Sequence, residues 1–271
     1  MAAPDFSLLE AVRRRRPLVH CVSNIVSAND CANLALAVGA SPIMAQAPQE
    51  LEAIAAASDA AVLNTGTPGE ETFQTCLLRG QAAGRLGQPV ILDPVGVGAS
   101  PWRLEQAEML LKHFTPTLVR VNAGEAGALL RLESRAQGVD SPAALDPAQR
   151  GTLALRLAQK LGTAVLVSGP EDFLSNGTGL WKISGGSARM TQVTGTGCML
   201  SVLCGVFAAV EPDILTAAAT AAAFWKVCSR RAEALAGCRG PGSFRSALFD
   251  AAGTLTAADC AGSGKAAAEP V

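Results

Sequence analysis

The densest chemistry in the chain lies at Val193-Thr194-Gly195-Thr196-Gly197-Cys198, followed directly by the apolar stretch Met199 to Val210. Two glycines let a backbone come close to a ligand. A helix starting there presents unpaired N–H groups and the positive end of its dipole, an arrangement that suits an anion. The same residues also suit a tight helix-packing turn, and the loop alone leaves both readings open. It is not a Walker loop, since Lys and Ser/Thr do not follow, nor a dinucleotide fingerprint, since Leu200 stands where a third Gly belongs. Gly262-Ser263-Gly264-Lys265 fails the Walker spacing as well. Cys198 opens the helix, a position that typically depresses a thiol pKa. Nucleophile, proton acceptor and small core residue are all open to it. No His is near it in sequence, which argues against Cys-protease chemistry.

Asp93 and Glu125 are the carboxylates best placed for Mg2+ held through water and phosphate oxygens. Each also has a plainer role: Asp93-Pro94 as turn chemistry, Glu125 as a favourable first-turn charge. His20, at the end of the first strand pattern, and His113, at a helix end, read as structural residues. The Arg13 to Arg16 run reads as a solvated helix end.

These residues must be positioned by the surrounding elements. Short β-branched runs alternate with Ala/Leu-rich helical patterns, the signature of βαβ units and a largely parallel sheet. The expected strands are Leu18–Val22, Ala60–Leu63, Val90–Leu92, Thr117–Val121 and Ala164–Val167. The expected helices between them are Asn29–Val38, Gln49–Ala57, Glu70–Leu86, Pro101–Lys112, Gly124–Leu132 and Gly151–Leu161. Asp172–Ser175 and Leu180–Ile183 flank Asn176-Gly177-Thr178-Gly179 and read as an antiparallel hairpin at a sheet edge. From Gly197 onward the chain reads as nearly all helix. Residues 134–149 read as a loop, residues 1–260 as one domain and 261–271 as a disordered tail. Parallel α/β sheets bind ligands beyond the carboxyl ends of their strands. Those ends carry Ser23-Asn24, Asn64-Thr65-Gly66, Asp93-Pro94-Val95-Gly96, Arg120-Val121-Asn122 with Glu125, and Ser168-Gly169.

Composition narrows the function. The 271 residues include 51 Ala and 27 Gly but only two His and no Tyr, so chemistry built on a His cluster is excluded. Aromatics at 4 % supply too few rings for nucleic-acid stacking platforms. A net charge of -1 lacks the basic footprint of phosphate-backbone binding, so no nucleic-acid partner is expected. No apolar run reaches membrane-spanning length, so no membrane association is expected. The eight Cys contain no CxxC pair and read as reduced, mostly buried thiols, hence a cytoplasmic protein.

Taken in order, several segments resemble the hydroxyethylthiazole kinase family, from about Pro17 to Gly242. They are Pro17-Leu18-Val19-His20 with Ser23-Asn24, Gly39-Ala40-Ser41-Pro42-Ile43-Met44, Leu63-Asn64-Thr65-Gly66-Thr67, Asp93-Pro94-Val95-Gly96, Arg120-Val121-Asn122-Ala123-Gly124-Glu125, Ser168-Gly169-Pro170-Glu171-Asp172 and Val193 to Ser201. The Gly-Ala-Ser-Pro-x-Met and Gly-Thr-Gly-Cys-Met-Leu-Ser segments are specific to that family. Asp-Pro-Val-Gly marks only the wider ribokinase-like superfamily.

The resemblance implies a ribokinase-like α/β fold, a central mostly parallel sheet flanked by helices in a three-layer sandwich. It implies ATP-dependent phosphorylation of 4-methyl-5-(2-hydroxyethyl)thiazole in thiamine salvage, with ATP and Mg2+. By the same resemblance, Met44 and Gly195 line the thiazole side with Asn24, and Arg120 and Ser168 bind ATP. Gly195, Thr196 and Gly197 form the anion loop, Asp93 and Glu125 hold Mg2+, and Cys198 stands where related kinases carry an Asp base. The family is a homotrimer with thiazole sites between subunits and no lid. The chain departs from the usual pattern at Cys21 (usually Asn), Ser23 (commonly Thr) and Val121 (usually Gly). Other readings are a hydroxymethylpyrimidine kinase, a dehydratase of hydrated nicotinamide nucleotides, and a non-catalytic thiazole or nucleotide sensor. The dehydratase usually carries Asp at the Cys198 position.

Overall fold

The computed structural model describes residues 3–132, 146–235, 237, 239–262 and 268–271. Its strands are β1 (Leu18–Val22), β2 (Ser41–Ile43), β3 (Ala60–Asn64), β4 (Val90–Asp93), β5 (Leu118–Asn122), β6 (Ala164–Ser168), β7 (Asp172–Ser175), β8 (Leu180–Ile183) and β9 (Ala268–Pro270). They form one sheet in the order β2-β1-β3-β4-β5-β6-β7-β8-β9. Pairing is parallel from β2 to β6 and antiparallel from β6 to β9. The register sets Asn64 beside Asp93 and Asn122 beside Ser168, so polar strand ends line up along one edge.

The helices are α1 (Leu8–Arg15), α2 (Ala28–Val38), α3 (Leu51–Ala57), α4 (Glu70–Leu86), α5 (Pro101–His113), α6 (Ala123–Leu129), α7 (Pro147–Leu161), α8 (Thr196–Ala208), α9 (Ile214–Ala234), α10 (Pro241–Thr254) and α11 (Ala257–Gly262). Period-2 alternation splits the strand residues between two cores. Val19, Cys21, Val62, Ile91, Leu118 and Leu166 pack with α1, α2, α8, α9 and α10. Val22, Leu63, Leu92, Val119, Val121 and Val167 pack with α4 to α7 on the opposite face. The result is three layers with a buried sheet.

Helix α8 is apolar all round, and Cys198 to Ala208 is buried without exception, as expected of a helix wedged between layers. Gly205 lets it lie against the sheet: a Cβ there would sit 2.5 Å from Val62 Cγ2. The alanines of α9 serve the same close packing on its outer side, Ala217 to Ala219 and Ala221 to Ala223 being fully buried.

Several expectations need correction. β2 was not foreseen; its three residues, Ser-Pro-Ile, are too few to show a period. α7 starts at Pro147, inside the expected loop, because Asp146 and Gln149 form a capping box around its first turn; residues 133–145 lie outside the described set. The 261–271 segment is not a plain tail. Ala261 and Gly262 complete α11, and Ala268–Pro270 pair with β8, so the hairpin is not outermost. Residues 263–267 are outside the described set. Arg13 and Arg15 are not merely solvated: Arg13 Nη2 donates to Leu255 O at 2.8 Å, and Arg15 Nη2 pairs with Asp59 at 3.0 Å.

Candidate active site

The site begins where β4 ends, on Asp93. This carboxylate is fully buried and already engaged at both oxygens. Oδ1 accepts from Arg120 Nη1 at 3.0 Å, while Oδ2 accepts from Asn64 Nδ2 at 3.0 Å and from Ser201 Oγ at 2.7 Å. Asn64 Oδ1 in turn accepts from Asn24 Nδ2 at 2.9 Å, and that amide also reaches Cys198 Sγ at 3.4 Å. On the other flank Arg120 Nη2 donates to Ser168 Oγ at 3.0 Å. A single hydrogen-bonded chain therefore joins the ends of β1, β3, β4, β5 and β6 to the start of α8. All but the part-buried Arg120–Ser168 link are buried, where a satisfied polar network rigidifies its surroundings.

Arg120 is 7 % exposed, and its Nε has no partner among the described residues. Burial works against its charge, but Asp93 and Glu125 beside it outweigh that and raise its pKa. It is a fixed cation. Its guanidinium lies on the backbone of Gly197, so closely that any side chain there would collide with it. Gly195 has φ +79, the left-handed region, and a Cβ there would come 2.8 Å from Ser27 Cβ. Both glycines of the loop are thus required locally. The loop brings the N-terminus of α8, a charge-binding element, against the Nη atoms of a buried arginine.

Cys198 does not have the activated thiol expected at a helix start. Burial, with Asp93 adding to it, raises its pKa above the ordinary value. Desolvation of a thiolate in a site 8 % exposed outweighs the helix dipole. In the resting site Cys198 is a neutral thiol, able to accept a hydrogen bond.

Glu125 ends its own chain of bonds. Asn122 Oδ1 accepts from Glu125 N at 2.9 Å, and Glu125 Oε2 accepts from Asn122 N at 2.8 Å, a capping box that starts α6. Its Oε1 accepts from Gly96 N at 2.8 Å, tying it to the turn after Asp93. Burial raises its carboxyl above the usual range, opposed by Arg120 and reinforced by Asp93. Among the described residues no group of three or more His, Cys, Asp or Glu converges on a point, so no all-protein metal cage exists there. The donors do fit a hydrated Mg2+: two buried, mutually repelling carboxylates with one lone pair spare on most oxygens, and no geometry that strips the ion's waters.

On the β6 flank, Asp172 Oδ1 accepts from Gly169 N at 2.9 Å, and Lys226 Nζ lies 3.2 Å from Asp172 Oδ2. Lys226 also donates to Pro170 O at 3.2 Å, so a buried ion pair fixes the loop beyond Ser168. On the β1 flank, His20 bonds to Ala45 O at 2.8 Å and receives Arg79 Nε at 2.9 Å. Met44 lies just before Ala45, half-buried and packed against the α8-side core.

The structure brings Asn24, Asp93, Arg120, Ser168, Gly197 and Cys198 into one connected cluster, with Glu125 joined to it through Gly96. Met44 flanks the cluster without a polar link to it. Thr196 Oγ1 donates back to Met190 O at 3.3 Å, and Thr196 O accepts from Trp225 Nε1 at 3.1 Å, so both groups serve the loop. Cys21 and Val121, two of the departures, point into the two cores; the third, Ser23, is buried, and its carbonyl accepts from Gln46 Nε2 at 2.9 Å. His113 is exposed and caps onto Met109 O. Not foreseen were the linking roles of Asn64 and Ser201 and the buried Arg79 and Lys226. Ser201 lies three residues after Cys198, on one helix face with it, and that spacing was a usable signal.

Comparison with known proteins places the chain. The family model described as "Hydroxyethylthiazole kinase family" matches residues 9–258. A protein of Listeria monocytogenes serotype 4a (strain HCC23) named hydroxyethylthiazole kinase is 43 % identical over 247 residues, 91 % of each chain. The solved structure of a hydroxyethylthiazole kinase protein from Pyrococcus horikoshii OT3 superposes with a TM-score of 0.87 at 32 % identity, covering 98 % of both chains. Pyridoxal kinase of Bacillus subtilis, solved as an ADP complex, matches at TM-score 0.60 and 15 % identity, covering 79 % of this chain and 91 % of that one, which speaks to the ribokinase-like fold alone. Sequence and fold thus agree: the chain is a member of the hydroxyethylthiazole kinase family.

Proposed function

We propose that this chain is a kinase that transfers the γ-phosphoryl group of ATP to the primary hydroxyl of 4-methyl-5-(2-hydroxyethyl)thiazole, within thiamine salvage. The observation that carries this reading is the seating of the Gly195–Gly197 loop on the Arg120 guanidinium at the carboxyl ends of the strands. Phosphoryl transfer needs positioning and fixed positive charge more than covalent chemistry. Backbone N–H groups at the start of α8 and the Arg120 cation supply that charge without reorganising. Arg120 and Ser168 face the nucleotide; Asn24, Met44 and Gly195 face the thiazole. Asp93 and Glu125 would hold Mg2+, which neutralises phosphate charge when bound.

Cys198 sits where it accepts a hydrogen bond from the acceptor hydroxyl, and its raised pKa makes it a guide for that proton rather than a strong base. Cys198→Ala is expected to keep measurable turnover, with kcat lowered by less than about 100-fold, the lower end of general-base effects. Full activity in Cys198→Ala together with a dead Cys198→Asp would remove the proton-handling role.

Assembly as a homotrimer, with the thiazole site shared between subunits, is supported by Ile25 and Val26. They are 81 % and 62 % exposed directly beside Asn24. Sedimentation at micromolar protein checks it; a monomer would remove it. Cys21, Cys31, Cys76, Cys198, Cys204 and Cys228 are buried thiols outside any disulfide, which suits a reducing, cytoplasmic setting. The deciding experiment is ADP release by purified protein with and without the thiazole alcohol. Substrate-dependent release is expected; binding without turnover would overturn the kinase reading.

A further inference from the structure

Arg79, in the middle of α4, is fully buried, yet among the described residues no carboxylate pairs with it. Its Nε donates to His20 Nδ1 at 2.9 Å and its Nη2 to Gln88 Oε1 at 2.8 Å. Its Nη1 has no partner among the described residues. Burying a guanidinium against neutral groups costs free energy that an apolar side chain would save. The bond it makes to His20 settles that ring: Nδ1 must accept, so Nε2 carries the proton and donates to Ala45 O at 2.8 Å. The imidazole is neutral, and both of its nitrogens are committed.

Two further bonds converge on the same short segment. Thr75 Oγ1, one turn before Arg79 on α4, donates to Gln46 O at 2.9 Å. Gln46 Nε2 donates to Ser23 O at 2.9 Å, the residue before Asn24. Residues 45–46 are therefore pinned to β1 and α4 by three buried or half-buried bonds, immediately after Met44. This segment has no other regular support, since β2 stops at Ile43.

We propose that Arg79 and His20 are positioning residues for acceptor specificity: together with Thr75 they hold the 44–46 segment, and so fix where Met44 stands in the wall of the thiazole pocket. They touch no substrate. The Nε of the buried cation orients one ring, and the pocket itself receives a neutral, apolar wall suited to an uncharged heterocycle. This inference rests on Met44 lining that pocket, as proposed above.

The test is steady-state kinetics of the full-length protein with hydroxyethylthiazole and ATP varied in turn. His20→Leu and Thr75→Val each remove one of the bonds that hold the segment, and each is expected to raise the thiazole KM about tenfold. The ATP KM should stay within about twofold, separating acceptor placement from general damage. His20→Gln should recover most of the loss, because its amide can both accept from Arg79 and donate to Ala45 O. An unchanged thiazole KM in a folded variant overturns the proposal. So does an equal rise in both KM values, or a His20→Gln as poor as His20→Leu. If His20→Leu does not fold, Thr75→Val decides, since it removes one hydroxyl and leaves the buried cation paired. Met44→Ala separates the two levels of the argument. If it raises the thiazole KM while the clamp variants do not, the clamp fails and the pocket stands. If it leaves that KM unchanged, the pocket wall is elsewhere and the clamp proposal falls with it.

Discussion

The two flanks of the site are built from different chemistry. The β5–β6 flank runs on charge: Arg120 pairs with Asp93, and Lys226 pairs with Asp172 behind the Ser168 loop. The β1–β3 flank is built from amides, a thiol and a neutral imidazole, and its buried cation, Arg79, is turned inward onto His20. The division matches what each flank would recognise under the function proposed above. A nucleotide's phosphates call for fixed cations that stay charged when dry. An uncharged acceptor alcohol is better served by neutral groups, since a bare charge there would have to be desolvated for no return. The flanks meet at Asp93, the one carboxylate bonded to Arg120 on one side and Asn64 on the other.

The sharpest way to break this comparison is Arg120→Met. Asp93 would be left buried without its cation, which costs about 3–5 kcal/mol of stability. Loss of a preorganised donor should also lower kcat/KM by about 100- to 1000-fold. Thiazole binding, followed by calorimetry without ATP, is expected to survive in the folded fraction. A parallel loss of thiazole binding would mean that the flanks do not act separately.

Lys226→Met tests the second ion pair. Asp172 keeps its bond from Gly169 N, so the expected cost is smaller, about 2–3 kcal/mol in a denaturant titration. The ATP KM should rise and the thiazole KM should not.

The neutral flank has its own signature, in pH. Burial, together with the Arg79 charge and against the bond to Ala45 O, lowers the His20 pKa from 6.5 to about 4. The folded protein therefore keeps this ring neutral where the unfolded chain protonates it. Stability contributed by the neutral ring is full above pH 6.5 and falls as the pH drops toward 4, by up to about 1.4 kcal/mol per pH unit. Arg79 is the charged group that the ring faces. His20→Gln should flatten this part of the stability profile measured by thermal melts from pH 7 to 5. An unchanged slope would assign the acid sensitivity to other groups.

How much of this was legible beforehand follows a physical line. Residues whose role depends on local sequence were readable: the glycine-loop-to-helix junction at 195–198, the polar strand ends, and the antiparallel hairpin, whose limits Asp172–Ser175 and Leu180–Ile183 coincide with β7 and β8. Asp93 and Arg120 were each singled out, but their ion pair joins residues 27 apart, and nothing local encodes it. At Cys198 the helix start, a local fact, argues for a depressed thiol pKa, while burial, a global one, raises it. Arg79 was invisible for the same reason. In sequence it is an ordinary helix arginine, and only the packing of α4 on β1 shows that it is buried. β2 escaped because its strand character comes from its neighbour β1 rather than from its own three residues.

Gly205 has a consequence for how the catalytic geometry can be altered. It lies eight residues beyond Gly197 along α8, about 12 Å at the helical rise, and its bare Cα rests against Val62. The helix therefore has a hard stop rather than a cushion of side chains, and the depth of the anion loop is gauged by contact at its far half. One added methyl group at position 205 would act as a shim, lifting or tilting the whole rod and moving the loop proposed above to hold the phosphates. Activity in this scaffold can thus be tuned by thickness, from inside a core that no ligand ever reaches.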